Sequence, residues 1–340
     1  MRKLRVLALM HEGMVPPEDT RGVDVAEADW KMEFDVVTTL QYIGHEVRAL
    51  GVASDLGAMR QAIYQFRPHI VFNLLEHFDD VAVYDLNVVA YLELLHMPYT
   101  GCNPRGLLLA RDKALSKQIL GYHRIRVPEF AVFQRGRTIR RPRRLSYPLI
   151  VKSLTQDGSI GISQASVVEE DRKFRDRVAF VHDNLGTDAI AERYIDGREF
   201  YVGVLGNLRL QVFPVWEIHL SKLPEGSRPI ATDRVKWNRK YQMKYRILSD
   251  EARDLPEAVR QAIQHLSKRV YRTLGLSGYA RIDLRLAPDG NVYVLEANPN
   301  PQLAYGEDFA ESAERAGISY EQLLQRIIRL GRRWRRVART

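Results

Sequence analysis

The sequence predicts a protein that combines an α/β part with an α+β part, and therefore more than one sheet. In the first third of the chain, short apolar runs alternate with segments whose apolar residues recur at every third or fourth position, the pattern of a parallel sheet covered by helices. Later, an Asp-Gly-Asn turn separates two alternating runs, which is typical of an antiparallel hairpin. A chain of 340 residues is long enough for two or three domains.

The first third contains alternating predicted strands and helices. Gly44 and Pro68 mark the ends of two of the helices. Residues 13–27 are rich in Pro, Asp and Gly, and we expect them to form a mobile loop at the sheet edge. The predicted strands are residues 4–10, a stretch through Val47 and Leu50, and residues 70–75; the predicted helices are residues 30–43, 56–66 and 87–95.

The middle of the chain has the pattern of a small α+β unit, and the last part that of strands and helices around the hairpin. A helix should run from Asp112 to Gly121, and an arginine-rich loop, residues 135–144, should separate two short strands. We expect strands at residues 130–133, 149–154, 200–205, 208–215, 280–286 and 292–297, and helices at residues 255–274 and 320–334.

Composition excludes several classes of protein. Hydrophobic residues make up 45% of the chain and charged residues 27%, and no apolar run approaches the roughly 20 residues that span a bilayer. The apolar run after the basic N-terminus is too short for a secretory signal, so we expect a cytoplasmic protein. The single cysteine, Cys102, forms no internal disulfide, and no Cys/His group has zinc-ligand spacing. Any metal should therefore have oxygen ligands.

The formal net charge is +9, and much of the excess lies in two segments. Residues 135–144 contain six arginines and residues 326–339 contain seven. Such runs usually form solvated surfaces, and cations at the end of a helix complement its dipole. Because no aromatic-interleaved RNA motif or zinc finger accompanies them, we expect neither a nucleic-acid partner nor insertion into a membrane.

The hairpin over residues 281–298 carries the strongest chemical signal. Strand alternation predicts that Arg281, Asp283 and Arg285 share one face of the first strand. On the second strand, Val294, Glu296 and Asn298 should share one face. Magnesium takes oxygen ligands and usually holds substrate phosphates as well, so Asp283, Glu296 and Asn298 suit a pair of ions bridged by Glu296. Arg281 would stabilise a transferring phosphoryl group. A solvated surface hairpin is the alternative, against which the apolar neighbours of these residues argue.

These residues resemble the C-terminal segment of the ATP-grasp superfamily, and within it of the D-alanine:D-alanine ligase family. The resemblance is strongest over residues 278–330, around Glu296-Ala297-Asn298, and extends loosely back to Tyr99-Thr100-Gly101. It implies the ATP-grasp fold, with ATP and two Mg²⁺ or Mn²⁺ ions held between the last two of three domains. The implied domains are a Rossmann-like N-terminal domain (residues 1–112), a central lid domain (113–195) and a C-terminal domain with the metal site (196–340).

The resemblance also implies roles for residues elsewhere. Lys113, at the start of a helix, and Lys152, at the end of an apolar strand, resemble lysines that contact ATP phosphates. Gly158 and Ser159 lie in residues 157–161, which resemble the mobile glycine-rich loop over the phosphates. Snorkelling lysines and Gly-Ser turns also occur without any such role. The other implied contacts are Glu192, Arg193 and Ile195 for adenine, Glu199 for ribose, Lys236 for the γ-phosphate, and Arg281 with backbone N–H groups near Gln302 for an oxyanion.

The implied chemistry is phosphoryl transfer followed by acyl transfer. A substrate carboxylate would attack the ATP γ-phosphate, and an amine would then displace phosphate from the acyl phosphate. We therefore expect an ATP-dependent carboxylate–amine ligase acting on small molecules. An authentic D-alanine:D-alanine ligase is the alternative, and a non-catalytic ATP-binding module is a second one. The sequence leaves open whether the acceptor is an amine and whether the protein is a homodimer.

Departures from the family pattern fall on the substrate side. The glycine-rich N-terminal signature with its substrate-binding glutamate is absent, and His11-Glu12-Gly13 stands there, which makes Glu12 a candidate substrate contact. A serine and a tyrosine of a substrate-side network align with Gly158 and Trp237, so we expect that network to be missing. A serine that holds the acceptor carboxylate aligns with Glu307. An ionised glutamate repels a carboxylate but attracts an amine or guanidinium, so we predict an acceptor that carries a cationic group or lacks a free α-carboxylate.

Overall fold

The N-terminal part of the chain forms a three-stranded parallel sheet covered by helices. The computed structural model describes residues 3–334. The first elements are β1 (Arg5–His11), α1 (Lys31–Tyr42), β2 (Glu46–Val52), α2 (Leu56–Phe66), β3 (Ile70–Asn73), α3 (Asp85–Leu94) and α4 (Pro104–Arg111). The strand order is β2-β1-β3, and β1 is parallel to both neighbours. The parallel sheet predicted from the alternating pattern is therefore confirmed.

Side-chain caps fix where two of these helices begin. Asp55 accepts a hydrogen bond from Gly57 N–H at the start of α2, and Asn103 accepts one from Gly106 N–H at the start of α4. Pro104 occupies the first turn of α4, where its missing N–H costs nothing. The apolar pattern does not predict α4, because a helix of eight residues is too short to show a clear period.

The central part of the chain forms a four-stranded antiparallel sheet with its own core. Its elements are α5 (Lys113–Tyr122), β4 (Phe130–Phe133), β5 (Leu149–Ser153), β6 (Val167–Val168), α6 (Asp171–Asn184) and β7 (Ala189–Arg193). The strand order is β4-β7-β5-β6. Phe174 and Val178 of α6 share a core with Leu149 and Val151 of β5. The arginine-rich segment 135–144 is the loop between β4 and β5, as predicted.

The last part of the chain forms a five-stranded antiparallel sheet with flanking helices. Its elements are β8 (Arg198–Leu205), β9 (Gln211–His219), α7 (Asp233–Trp237), α8 (Arg239–Tyr245), β10 (Leu248–Glu251), α9 (Glu257–Thr273), β11 (Tyr279–Leu286), β12 (Val292–Pro299), α10 (Asp308–Arg315) and α11 (Tyr320–Arg333). The strand order is β10-β9-β8-β11-β12. The predicted hairpin is β11 and β12.

A β-bulge in this hairpin changes which side chains share a face. Asp283 pairs with Glu296, but the next pair along is Leu284 with Val294, so Leu295 is the extra residue. Val294 is fully buried in the core, whereas Leu295 and Glu296 both line an open cleft. The predicted grouping of Val294 with Glu296 on one face is therefore wrong, because strict alternation fails at a bulge.

The first and last sheets share hydrophobic cores, and the central sheet stands apart from them. One shared core contains Leu7 and Val71 of the parallel sheet together with Val202 and Ile282 of the antiparallel sheet. A second joins β1, β3 and α1 to α11. Within residues 3–334, neither of these cores contains a residue of the central strands. The two ends of the chain thus form one packed body that carries the central sheet.

Some elements differ from their predicted boundaries for identifiable reasons. β9 begins at Gln211 rather than at residue 208, because residues 206–210 make the turn that precedes it. In that turn Gly206 has a φ of +140° and Leu208 is 90% exposed. The apolar pattern also fails to predict α6, whose apolar face is interrupted by charged residues.

Three predictions concern the chain as a whole. One sheet lies within each of the ranges 1–112, 113–195 and 196–340, and the domain boundaries themselves stay a prediction. No helix in the described part of the chain is long and apolar enough to cross a bilayer. Of the C-terminal arginines, those up to Arg333 belong to α11, and residues 335–339 lie outside the described residues.

Candidate active site

An open cleft is lined by residues of the central sheet and of the C-terminal sheet. It holds about 780 Å³ of empty space, counted out to its open mouth, a size in the range of small-molecule sites. The predicted site residues that line it are Lys113, Lys152, Ser159, Glu192, Arg193, Ile195, Glu199, Lys236, Asp283 and Glu296. Side chains separated by up to 183 positions in the sequence, from 113 to 296, therefore meet in one place.

Two carboxylates face each other across the hairpin in this cleft. Asp283 and Glu296 are direct partners in the register of β11 and β12, and Arg281 pairs with Asn298 beside them. The Arg281 guanidinium binds both oxygens of Asp283, with Nε–Oδ1 and Nη2–Oδ2 distances of 2.8 Å. Asn298 Nδ2 lies 3.5 Å from Glu296 Oε1. The two acids and the amide singled out from the sequence thus lie together.

The two acids are in different electrostatic environments. Burial raises the pKa of Asp283 more than the neighbouring Arg281 guanidinium lowers it. Burial acts on Glu296 in the same direction, but four nearby lysine ammonium groups outweigh it and hold the pKa of Glu296 well below its usual range. Glu296 is therefore the more readily ionised of the pair.

The donor atoms of this pair fit a hard divalent cation. Carboxylate and amide oxygens are the ligands that Mg²⁺ and Mn²⁺ prefer. Arg281 occupies one lone pair on each oxygen of Asp283, and each oxygen has a second lone pair for ligation. Asp283, Glu296 and the amide oxygen of Asn298 could therefore hold such an ion without losing the Arg281 contact.

Lys113 connects the metal-ligand candidates to the loop after β5. Its Nζ donates to Gln156 O at 2.7 Å and to Asp157 Oδ1 at 3.1 Å, and it lies 3.9 Å from Glu296 Oε2. Asp112 caps α5 and so fixes Lys113 at the first helical position. The ammonium group of Lys113 is thus paired mainly with Asp157.

Arg111 holds the same loop from the other side and is not predicted from the sequence. Its guanidinium binds Asp157 and the buried Asp85 at the same time, and donates to Glu76 O. Burial raises the pKa of Asp85 more than the Arg111 charge lowers it. A lone arginine at the end of a short helix gives no sequence signal of this role, which depends on three separate segments of the chain.

The loop over residues 157–161 has a backbone that suits a tight turn. Gly158, Ser159 and Gly161 all have positive φ values, between +62° and +71°. A Cβ at Gly161 would lie 2.7 Å from Leu185 Cδ1, so a larger residue there would require the Leu185 side chain to shift and would strain the positive φ. Trp237 Nε1 donates to Gly158 O at 2.8 Å. Gly158 and Trp237, the two positions expected to lack the serine–tyrosine network, are therefore linked by a hydrogen bond.

Glu192 lies between two buried lysines. Its Oε1 is 3.2 Å from Lys117 Nζ and 3.4 Å from Lys152 Nζ. Burial would raise the pKa of Glu192, but these two charges lower it overall. Burial lowers the pKa of Lys117 to about 8 despite the carboxylate of Glu192. For Lys152, the carboxylates of Glu192 and Glu296 outweigh burial and raise the pKa.

Lys117 is not among the predicted site residues, although one signal points to it. It lies four positions after Lys113 on α5, so the two side chains share a helix face. Lys117 Nζ also donates to the backbone oxygen of Leu295, the extra residue of the bulge. It therefore connects α5 to the strand that carries Glu296.

The residues implied for adenine and ribose already have protein partners. Ile195 O accepts a hydrogen bond from Arg285 Nη1 at 2.9 Å. Glu199 accepts hydrogen bonds from Arg285 and from Tyr201 OH, the latter at 3.0 Å. Each oxygen of Glu199 can accept a further hydrogen bond, so a ribose hydroxyl could bind beside these partners. Arg193 lines the same wall of the cleft.

Gly158, Arg281 and Asn298 lie next to residues that line the cleft, whereas four other predicted residues lie elsewhere. Glu12 is exposed in the turn after β1, Gln302 is half-buried between β12 and α10, and Trp237 is exposed at the end of α7. Glu307 immediately precedes α10. The residue as a whole is exposed, but protein atoms partly shield its carboxyl group from water. Partial desolvation and the charge of Asp308 raise the pKa of Glu307, against the charges of Lys31 and Arg281.

Comparisons with known proteins show which family the chain resembles. A family model described as the D-ala D-ala ligase C-terminus matches residues 119–329. An uncharacterised protein, y4sG, of Sinorhizobium fredii is 30% identical over 306 residues, covering 88% of this chain and 86% of that protein. A D-alanine–D-alanine ligase of Bordetella petrii is 33% identical over 244 residues, which cover 70% of this chain and 69% of the ligase. The D-alanine–D-alanine ligase of Desulforudis audaxviator is 29% identical over 319 residues, which cover 92% of this chain and 89% of the ligase.

Solved structures share the fold over almost the whole chain. The D-alanine–D-alanine ligase of Bacillus anthracis, solved in complex with ATP, has a TM-score of 0.74 at 21% identity and covers 96% of this chain and 97% of its own. The D-alanine–D-alanine ligase of Coxiella burnetii has a TM-score of 0.71 at 18% identity and covers 97% of this chain and 94% of its own. The chain therefore belongs to the D-alanine–D-alanine ligase family, whose members are ATP-dependent ligases with the ATP-grasp fold.

Proposed function

We propose that this protein activates a small carboxylic acid with ATP as an acyl phosphate, and couples it to an amine with release of ADP and phosphate. One observation carries the proposal: Asp283 lies directly opposite Glu296, in a cleft that also contains the buried ammonium groups of Lys113 and Lys152. A pair of acids beside buried cations is an arrangement that can bind a metal nucleotide. The ATP complex of the Bacillus anthracis relative supports the same assignment.

Asp283, Glu296 and Asn298 are proposed to hold two Mg²⁺ or Mn²⁺ ions, with Glu296 shared between them. When bound, such ions neutralise charge on the phosphates and hold the nucleotide in place. The low pKa of Glu296 supports this role, because its carboxylate is ionised at neutral pH.

The protein's own residues orient and stabilise the reacting groups. Lys113, Lys152 and Lys236 would bind the phosphates, and Arg281 would face the group in transfer. A carboxylate oxygen of the substrate forms a bond to the γ-phosphorus, and the bond from that phosphorus to the bridging oxygen of ADP breaks. The amine then attacks the acyl carbon, phosphate leaves with the electron pair of the broken C–O bond, and the proton lost from the amine nitrogen passes to phosphate or solvent. The chain contributes mainly position and charge.

Binding of ATP would rearrange the loop over the phosphates. Lys113 is paired with Asp157, so a phosphate bound to this ammonium would compete with the carboxylate for its charge. Gly158 and Ser159 would then bring backbone N–H groups over the phosphates, which their positive φ values allow. Glu192, Arg193, Ile195 and Glu199 would hold adenine and ribose, as the family resemblance implies.

We propose that the acceptor differs from D-alanine. Glu307 stands where the family pattern has a serine for the acceptor carboxylate, and the charge of Arg281 acts on Glu307, which is consistent with a position on the substrate side. A cationic group, or the absence of a free α-carboxylate, would suit it better. Glu12, Trp237 and Gln302 are the other proposed substrate contacts.

Authentic D-alanine–D-alanine ligase activity is the competing candidate. The Bordetella petrii and Desulforudis audaxviator relatives carry that name and cover most of this chain. A non-catalytic ATP-binding module is a third candidate, against which the presence of Asp283, Glu296 and Asn298 argues. The proposed partners are small molecules in the cytoplasm, and a homodimer is the proposed assembly.

A screen of paired amino acids and hydroxy acids for ATP-dependent phosphate release separates these candidates. We expect release with an acid and a cationic or carboxylate-free acceptor, and little release with D-alanine alone. Efficient formation of D-alanyl-D-alanine, with a KM in the roughly micromolar to millimolar range usual for enzymes, would support the authentic ligase instead. No release with any pair would support the non-catalytic module.

The variant Glu307→Ser tests the acceptor assignment within the same screen. Under the altered-acceptor proposal, it should raise the KM for the native acceptor by about tenfold or more, as the loss of one charge-assisted hydrogen bond does, and leave the KM for ATP unchanged. Glu314→Ser, an exposed acid at the other end of α10, is the matched control. Equal acceptor KM values in wild type and Glu307→Ser would show that Glu307 points away from the acceptor.

A further inference from the structure

We propose that the N-terminal sheet carries a separate metal site, formed by His11, His77 and Asp80, for a first-row transition ion of the zinc type. Within residues 3–334, these are the only group of three or more His, Cys, Asp or Glu residues whose candidate ligand atoms all lie within 4.8 Å of one another. The site shares no residue with the proposed magnesium site and does not depend on the proposed ligase activity.

The topology explains how residues 66 positions apart in the sequence, 11 and 77, come together. His11 is the last residue of β1, and His77 follows the end of β3. These strands are parallel neighbours, so their carboxyl ends lie at the same edge of the sheet, where open α/β sheets bind ligands. A search of the sequence for zinc-ligand spacing misses such a site, because the fold and not the spacing joins its parts.

The two imidazoles are already in contact. Their ring centroids are 4.4 Å apart, with an angle of 40° between the planes. Nδ1 of His77 is buried and has no hydrogen-bond partner among the described residues. Buried polar atoms in native proteins are nearly always satisfied, so an unsatisfied imidazole nitrogen beside a second imidazole indicates a missing ligand.

The third ligand is held by a tight turn. Asp79 and Asp80 have φ values of +54° and +56°, and Phe78 and Val81 exchange two backbone hydrogen bonds around them. Positive φ at both central positions is the geometry of a type I′ turn, which aspartate tolerates better than most residues. Asp79 N–H also donates to Ala53 O at 2.8 Å, which ties the turn to the end of β2. The backbone that carries Asp80 is therefore anchored on two sides.

Metal binding would displace one weak contact. His11 Nδ1 accepts a hydrogen bond of 3.2 Å from Gly13 N–H in an exposed turn. A ligating imidazole uses one nitrogen for the metal and carries a proton on the other, so ligation through either nitrogen breaks this bond. The first turn of the segment 13–27 would change when the metal binds.

The ligand set selects the kind of ion. Two imidazoles and one carboxylate suit Zn²⁺ and its first-row neighbours rather than Mg²⁺, which prefers oxygen ligands. Three protein ligands leave at least one position for water or a substrate group, as in open zinc sites.

Titration of the full-length, chelator-treated protein with Co²⁺ and Zn²⁺ tests the site. We expect one equivalent of Co²⁺ to bind with a visible absorption band and to be displaced by Zn²⁺ in excess Mg²⁺. Loss of an outer-shell partner usually weakens metal binding by about 10- to 100-fold, so His77→Ala and Asp80→Asn should weaken Zn²⁺ binding by roughly 100-fold or more. Circular dichroism would confirm that both variants are folded.

Two control variants assign the signal to this site. His265→Ala removes an exposed histidine of α9, and Glu296→Ala removes the proposed magnesium ligand; both should bind Zn²⁺ as the wild type does. Zn²⁺ binding that survives in folded His77→Ala and in His11→Gln, or its absence from the wild type, would overturn the proposal. Loss of binding in Glu296→Ala alone would place the ion in the cleft and overturn it too.

Discussion

At the scale of single residues, the buried lysines determine the electrostatics of the cleft. Lys152 is buried beside Glu192, and the carboxylates of Glu192 and Glu296 keep its pKa raised, so it carries a charge at neutral pH. A fixed buried cation that faces phosphate contributes to binding in the ground state and in the transition state alike.

We therefore expect Lys152→Ala to weaken ATP binding. A hydrogen bond to a charged group contributes about 1.5 to 3 kcal/mol, so the Kd for ATP should rise by roughly 10- to 100-fold in calorimetry. Lys173→Ala, on the solvent face of α6, is the matched control and should bind ATP normally. An unchanged Kd in folded Lys152→Ala would remove this lysine from the nucleotide site.

A second residue-scale prediction concerns Glu33, which is buried in α1. Burial, reinforced by the charge of Glu76, raises the pKa of Glu33 from 4.5 to about 7. Because the folded-state pKa is the higher one, the protonated group contributes stability below about pH 4.5, and this contribution is lost as the pH rises through about 7.

The variant Glu33→Gln should therefore stabilise the protein more at about pH 8 than at about pH 5. The change of the Glu33 pKa from 4.5 to about 7 corresponds to roughly 3 kcal/mol, which is an upper limit for the difference in the free energy of unfolding. Denaturant titrations at the two pH values provide the measurement. An equal effect at both pH values would show that Glu33 titrates normally.

Membership of the candidate site could be predicted from the sequence for residues that lie in a recognisable motif. Asp283 and Glu296 sit in a recognisable hairpin, and strand pairing brings them together as expected. Arg111 and Lys117 could not be predicted in this way, since their roles follow from burial against distant segments. The spacing of Lys117 from Lys113 is a signal only once α5 is known to face the cleft.

At the scale of elements, two loops connect the cleft to the N-terminal sheet. Asp157, at the start of the loop over the phosphates, is held by Arg111 and Lys113. Glu27, at the end of the segment 13–27, forms an exposed ion pair with Arg239 of α8 at 2.7 Å. Neither loop has a regular backbone ladder of its own, and the exposed Glu27–Arg239 pair contributes little stability to the second loop.

We predict that residues 157–161 and 13–27 exchange amide hydrogens rapidly in the free protein and become protected together when ATP and the native substrate bind. The physical reason is that phosphate would compete with Asp157 for Lys113, and that Glu12, a proposed substrate contact, immediately precedes residues 13–27. Hydrogen exchange followed by mass spectrometry is the measurement. Full protection of either loop without ligand would contradict a shared closing motion.

Element positions follow well from periodicity where apolar residues dominate, as in β1, α2 and β3. Periodicity fails at the β-bulge after Asp283, because one extra residue moves Val294 to the opposite face. It also fails for short or highly charged helices such as α4 and α6. The segments that it misses are those whose position depends on tertiary contacts.

At the scale of the whole molecule, the cores divide the chain unevenly. The first and last sheets share two cores, whereas the central sheet has a separate one. Such a division is compatible with the predicted central lid domain, whose motion over the cleft stays a prediction. The parallel N-terminal sheet and the β11–β12 hairpin could be predicted from the sequence. The shared cores could not, because local sequence patterns do not indicate which sheets pack together.

Phosphate release by Glu296→Ala tests whether the carboxylates on β11 and β12 support ATP-dependent ligation. The assay uses the best acid and acceptor from the screen, with and without Mg²⁺. We predict Mg²⁺-dependent release in the wild type and a loss of roughly 1,000-fold in the variant, since metal ions supply several kcal/mol of transition-state stabilisation and each 1.36 kcal/mol is tenfold in rate. Undiminished release by Glu296→Ala, with a normal circular dichroism spectrum, would contradict the account.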